Sequence, residues 1–210
     1  MDYFISDTHF AHANLLLFEQ RPFETIAEHD DFILTLLEKK LREGDILYHL
    51  GDFIFSDACK DESLKRWKAL PCRKVLIKGN HDKKKMSYYS EYFDEVYDTP
   101  IYYKRRVVLS HYPVPVTDGT LNIHGHLHGS ILDGDNYLNA NIHVNKYKLI
   151  TGDEIDKRIG ALPVDNRRFL CEWFAHKQKF IEPRHDDLPV TPEGFADFEK
   201  LATKKLNSTE

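Results

Sequence analysis

Val75-Leu76-Ile77-Lys78-Gly79-Asn80-His81-Asp82 is a short apolar run that ends in glycine, amide, imidazole and carboxylate. A strand that stops this way presents oxygen and nitrogen donors from a tight turn at a sheet edge, where α/β folds usually build their sites. Four further stretches share this character: Ser6-Asp7-Thr8-His9, Leu50-Gly51-Asp52-Phe53, Ser110-His111-Tyr112-Pro113 and His124-Gly125-His126-Leu127-His128. Most of them follow a β-like apolar run. In an extended backbone the side chains at i and i+2 point the same way, so Asp7 and His9 are spaced to aim two donors at one ion, and the same spacing after a glycine marks His126 and His128 as ligands.

Around these blocks the chain alternates between two periodicities. Tyr3-Phe4-Ile5, Asp45 to Leu50 and Arg73 to Lys78 read as strands, and Gly51 frees the backbone to turn so that Asp52 sits centrally. Ala11 to Glu19, Glu24 to Glu43 and Asp57 to Leu70 read as helices. In the second of these, Ile26, Ile33, Leu37 and Leu41 recur near helical spacing, and Gly44 is the expected stop. Phe93 to Tyr97, Ile101 to Tyr103, Val107 to Leu109, Leu121 to His124 and Tyr137 to Val144 read as further strands, with Lys104-Arg105-Arg106 as a hairpin turn and Thr151 to Gly160 as a helix. Strands alternating with helices early and running as hairpins later predict an α/β domain with mixed sheets.

Composition narrows the classes. A chain of 210 residues, 41% hydrophobic and 30% charged, is long enough to bury one sizeable core. No apolar run approaches the roughly 18 residues that cross a bilayer. The first strand begins without a basic or apolar segment ahead of it, which predicts no secretory leader. Cys59, Cys72 and Cys171 are an odd set without a Cys-x-x-Cys pair, which points to free thiols and a cytoplasmic setting. A net charge of −5 is not that of an electrostatic nucleic-acid binder, although Lys83-Lys84-Lys85 is either a solvated turn or a local attraction for phosphate.

Taken in order, the five blocks resemble the calcineurin-like metallophosphoesterase family, whose pattern is Asp-x-His, Gly-Asp, Gly-Asn-His-Asp/Glu, His and Gly-His-x-His. The resemblance covers residues 1–160 and replaces no ligand. It implies two mixed β-sheets packed face to face with flanking helices, a four-layer sandwich. It implies two divalent metal ions, with Asp7, His9 and His128 holding the first, Asn80, His111 and His126 the second, and Asp52 bridging. Oxygen and nitrogen donors without sulfur favour Mn²⁺, with Fe or Zn²⁺ also suited. A hydroxide activated between the ions would attack phosphorus, His81 would protonate the departing alkoxide, and Asp82 would orient His81. His12 and Arg21 follow the first block closely enough to touch a phosphate, or to serve a helix surface and a loop. His124 shares the parity of His126 and is placed behind the ligands, and His49 is read as a strand histidine with a satisfied partner.

The implied activity is that of a phosphodiesterase or phosphatase acting on a nucleotide or another small phosphoester. Protein Ser/Thr phosphatases of the superfamily carry Gly-Asp-x-x-Asp-Arg-Gly, whereas Gly51-Asp52 here continues Phe53-Ile54-Phe55-Ser56-Asp57, which argues against a phosphoprotein substrate. A nuclease acting on DNA or RNA is the alternative within enzymes. A non-catalytic scaffold of the same fold is the alternative outside them, but its usual mark, the loss of ligands, is missing. Residues 161–210 lie beyond the resemblance and read as an extension packed on the core, with an aromatic stretch over 168–174 and a helix opening at Thr191-Pro192-Glu193.

Overall fold

Alternation along the first strand sets the layers. In β1 (Asp2–Ile5), Tyr3 and Ile5 enter one buried cluster while Phe4 enters the other, as a period of two requires. The computed structural model describes residues 1–55, 61–117, 119–129, 132 and 134–162. The C-terminal extension beyond Leu162, with its expected aromatic stretch and helix, lies outside the described residues, as do Cys59 and Cys171.

Five strands form the first sheet, in the order β4 (Glu95–Tyr97), β3 (Arg73–Ile77), β2 (Ile46–His49), β1 and β9 (Ile150–Thr151). The first four are parallel and β9 is antiparallel to β1. The second sheet runs β5 (Ile101–Lys104), β6 (Val107–Leu109), β7 (Leu121–His124) and β8 (Tyr137–Asn139). Only β5 and β6 form the expected hairpin; β6, β7 and β8 are parallel. That departure matters, because it gives both sheets parallel strands whose carboxyl ends can carry donors.

One core cluster joins Phe4, Val75 and Ile77 of the first sheet to Val107, Leu109, Leu121 and Ile123 of the second, so the sheets pack face to face. The other joins Tyr3, Ile5, Leu47 and Leu76 to Ile33, Leu34 and Leu37 of α2 (Ile26–Lys40) and to Trp67 of α3 (Asp61–Ala69). Helix α2 opens on Thr25, whose hydroxyl accepts a hydrogen bond from Glu28 N–H, and closes on Lys39 and Lys40, which suit its negative end. It stops ahead of Gly44, because the buried Leu41 is already extended and Asp45 accepts a bond from the Arg42 N–H.

Other boundaries also move for local reasons. The helix expected over 11–19 shrinks to α1 (Leu15–Phe18), because Ala11 and Gln20 adopt left-handed backbone on either side. Strand β8 ends early because Asn141 Oδ1 accepts from the backbone of His143 and Val144, an Asx-type turn that competes with the ladder. Two short elements went unread: α4 (Met86–Tyr89) and β9, which is only two residues long. The helix expected from Thr151 is present as α5 (Gly152–Ala161), with Thr151 and Glu154 in a reciprocal capping box. No helix among the described residues is long and apolar enough to cross a membrane.

Trp67 is fully buried against Phe10, Phe53 and Phe93, and its indole N–H donates to the Tyr92 carbonyl at 3.0 Å. Trp67→Ala is therefore expected to lower unfolding free energy by about 3–5 kcal/mol, measured by urea denaturation followed by circular dichroism. A loss under about 1 kcal/mol would mean that the cluster closes over the gap.

Candidate metal centre

Every chemistry-bearing block lies just past the carboxyl end of a strand. Asp7 and His9 follow β1, Asp52 follows β2, Asn80 and His81 follow β3, His111 follows β6, and His126 and His128 follow β7. The turns that carry them are sharply bent. Asp7, His9, Asp52 and His126 all hold positive φ, between 47° and 67°, a region that side-chain-bearing residues enter at a cost. Gly51, at φ 91°, allows the closest approach: a Cβ there would lie 2.5 Å from His111 Nδ1 and 2.6 Å from Gly79 N. Any larger residue would force the Asp52 and Asn80 turns apart.

The bent turns gather two sets of donors. Ligand atoms of Asp7, His9, Asp52 and His128 lie within 4.8 Å of one another, and so do those of Asp52, His111 and His126. Asn80 joins the second set, its Oδ1 standing 2.9 Å from His111 Nε2 and 3.1 Å from His126 Nδ1. Asp52 belongs to both. Its Oδ2 is buried without a hydrogen-bond partner, 3.4 Å from His9 Nε2 and 3.4 Å from His111 Nε2. In the first set, His128 Nε2 stands 3.3 Å from Asp7 Oδ1 and 3.3 Å from His9 Nε2. Donors held about 2.0–2.1 Å from one ion stand roughly 3.0–3.4 Å apart, so the spacing fits a shared cation at each set.

Charge within the centre is divided unevenly. Burial disfavours ionised groups throughout, yet the Asp52 carboxylate beside His111 is held well below the usual range, and His111 in return is pushed up to about 9. Burial also opposes a charged His128, but Asp7 and Glu19 on either side raise it to about 10. His126, buried and facing a charged His111, falls to about 3, and burial lowers His9 in the same direction.

The family model described as calcineurin-like phosphoesterase matches residues 3–188. The chain belongs to the calcineurin-like phosphoesterase family. An uncharacterized protein of Methanocaldococcus jannaschii, MJ1445, is 32% identical over 169 residues, which is 75% of this chain and 90% of that one. The crystal structure of AQ665 from Aquifex aeolicus, a protein of unknown function, superposes with a TM-score of 0.63 at 40% identity, covering 75% of this chain and 98% of that one.

In this calcineurin-like phosphoesterase the residues around the donors do not all sit where the sequence suggested. Asp82 does not reach the His81 ring. Its buried carboxylate accepts the backbone N–H groups of Asp52 at 2.8 Å, Gly79 at 2.9 Å and Phe53 at 3.1 Å, so it clamps the bridging turn to the Asn80 turn. Burial and the Asp52 charge push it up to about 7. Arg21, expected near substrate, is buried, and its donors are directed inward: Nη2 to the Asp7 carbonyl at 2.8 Å, Nε to Glu19 at 2.9 Å and Nη1 toward His29 at 2.6 Å. It holds the Asp7 turn from behind and has no open face for a phosphate. His12 does reach the rim, its ring 5.6 Å from that of His9 and 3.6 Å from that of Phe55. His49 bonds Thr8 Oγ1 through Nε2 at 2.9 Å, while His124 is buried behind the ligands with Nδ1 on the Gly125 carbonyl.

Sequence reading missed Glu19. It forms an ion pair with Nδ1 of His128, on the far side of the ring from Asp7, and the Arg21 guanidinium holds its other oxygen. Anchoring Nδ1–H to a carboxylate leaves the Nε2 lone pair aimed at the first set of donors. Glu19→Gln is expected to weaken the Asp7/His9/His128 site about 10–100-fold and to leave the His111/His126 site little changed. Calorimetric titration of metal-free protein with Mn²⁺ reads both steps, and an equal loss at both would refute this role.

Both raised histidines carry protons in the metal-free protein at neutral pH, whereas a ligand imidazole must be neutral. Metal loading at pH 7 should therefore release protons, and affinity should fall as pH drops below the two raised values. Loading in two buffers of different ionisation enthalpy counts these protons; a count of zero would contradict the charge assignment.

Proposed function

We propose that this chain hydrolyses a nucleotide or another small phosphoester, as a phosphodiesterase or phosphatase, with Mn²⁺ as the preferred ion at both sites. The observation that carries the reading is the single Asp52 carboxylate shared by two converging donor sets. Asp7, His9 and His128 would hold one ion, Asn80, His111 and His126 the other, with Asp52 between them. Ions held there would supply Lewis acidity, lowering the pKa of a nearby water and offsetting negative charge on the phosphoryl oxygens.

The remaining work falls to the chain. His81 sits on the same rim, its ring 5.2 Å from that of His9, and its backbone N–H donates to Asp52 Oδ1 at 2.9 Å. Burial lowers its pKa, so the ring is neutral before substrate arrives. A dianionic or monoanionic phosphoryl group beside it favours the protonated form, which then donates to the departing oxygen. Asp82 and Arg21 keep the Asp52 and Asp7 turns in place, so the donors need not reorganise during turnover.

Asp52→Asn is expected to weaken metal binding at both sets and to abolish Mn²⁺-dependent hydrolysis of an aryl phosphodiester. Full metal content with activity retained would sink the assignment. His81→Ala is expected to lower kcat about 10²–10⁴-fold on esters with basic alkoxide leaving groups, and much less on aryl esters whose leaving groups need no proton. Parallel losses on both, with metals retained, would remove His81 from the acid role.

A further inference from the structure

His81 also lines a cleft of about 290 Å³ together with Phe55, Lys83, Lys84 and Tyr88. Its contents do not match a simple phosphate site. Phe55 is 44% exposed although it is a large apolar ring, and it is backed by the His12 imidazole with ring centroids 3.6 Å apart. Its ring lies 5.5 Å from that of His81, which fixes it at the edge of the centre.

The basic turn that lines the same cleft has its backbone held in place. Lys83 N–H donates to the His81 carbonyl at 2.9 Å, Lys78 Nζ donates to the Lys84 carbonyl at 2.8 Å, and Lys84 N–H reaches the Tyr89 hydroxyl at 3.4 Å. Both lysine side chains remain exposed while their backbone is pinned. Two lysines that line one cleft with an exposed aromatic ring, Lys84 Nζ standing 5.8 Å from the centre of the Tyr88 ring, are complementary to a flat ring that carries its own negative charge.

We propose that this cleft is the subsite for the leaving half of the ester, and that this half is a nucleotide: its base lies on Phe55 and its own phosphate on Lys83 and Lys84. The proposal rests on the phosphoesterase reading above for the direction of the reaction, but the subsite itself does not require bound metal. In the hydrolysis, the bond from phosphorus to the leaving nucleotide's oxygen breaks as a water oxygen bonds to phosphorus; a proton from His81 ends on the departing oxygen, and the proton that the water gives up passes to solvent, from which His81 is reprotonated. A cleft of this volume is at the lower end of small-molecule sites and accommodates one ring system with its phosphate, in contrast to a polymer groove.

The test is equilibrium binding to the metal-free full-length chain, by calorimetry, of adenosine monophosphate, adenosine and inorganic phosphate. Adenosine monophosphate is expected to bind at least about tenfold more tightly than either fragment. Phe55→Ala should lose about that factor for adenosine monophosphate while phosphate affinity stays put, and Phe55→Tyr, which keeps the ring, should restore it. Lys83→Ala with Lys84→Ala should abolish the advantage of adenosine monophosphate over adenosine. If the nucleotide binds no better than phosphate, or if Phe55→Ala and Phe55→Tyr behave alike, the subsite is overturned. Nucleotide binding as described in a protein that hydrolyses no ester with Mn²⁺ would support the subsite and count against the phosphoesterase reading instead.

Discussion

A buried carboxylate is costly unless something positive meets it, and Asp52 is buried with one oxygen lacking a hydrogen bond. Much of the surrounding structure follows from that constraint. Imidazoles from β1 and β6 turns flank the bare oxygen, the His81 N–H occupies the other, and Asp82 grips the backbone on which Asp52 sits. Gly51 and Gly79 let the two turns touch, because any Cβ at either position would strike the opposing turn or His111. The packing of two sheets brings the His111 and His126 turns to the same edge, so a second sheet contributes to a centre that the first could only half build.

The chain devotes two layers of support to this arrangement. Directly behind the donors stand Glu19, which turns His128, and Arg21, which ties the Asp7 carbonyl. Behind these, His29 bonds Asp30, whose other oxygen accepts the Ala11 N–H. Helix α2 is thereby joined to the donor turns by polar contacts within an otherwise apolar interface. Polar groups buried this way hold geometry only when each has a partner, and the run from Asp30 to His128 has one at every step.

The donors were legible because short motifs placed after strands encode position directly: i and i+2 share a face, and glycine before aspartate marks a turn. The parallel arrangement of β6, β7 and β8 was not, since strand direction depends on connections rather than on local pattern. Glu19 and Arg21 show another boundary of such reading. Nothing in Glu19-Gln20-Arg21 says that both side chains point inward, because that orientation comes from the left-handed backbone at Gln20 and from His128, which is distant in sequence. Asp82 likewise reads as a neighbour of His81, but adjacent residues on a tight turn diverge, and its carboxylate faces the backbone of another strand's turn.

Strand order has a consequence for how the chain emerges during synthesis. Strands β1, β2, β3 and β4 lie side by side in chain order, so that four of the first sheet's five strands can pair before the second sheet has been made. The other edge of β1 stays open until Ile150 and Thr151 arrive to pair with Phe4 and Tyr3. Until they do, the edge of β1 along Tyr3 and Phe4 is bare, the kind that recruits a neighbouring molecule. The two-residue strand that closes it is small in extent, yet it occupies the edge that another molecule could otherwise extend.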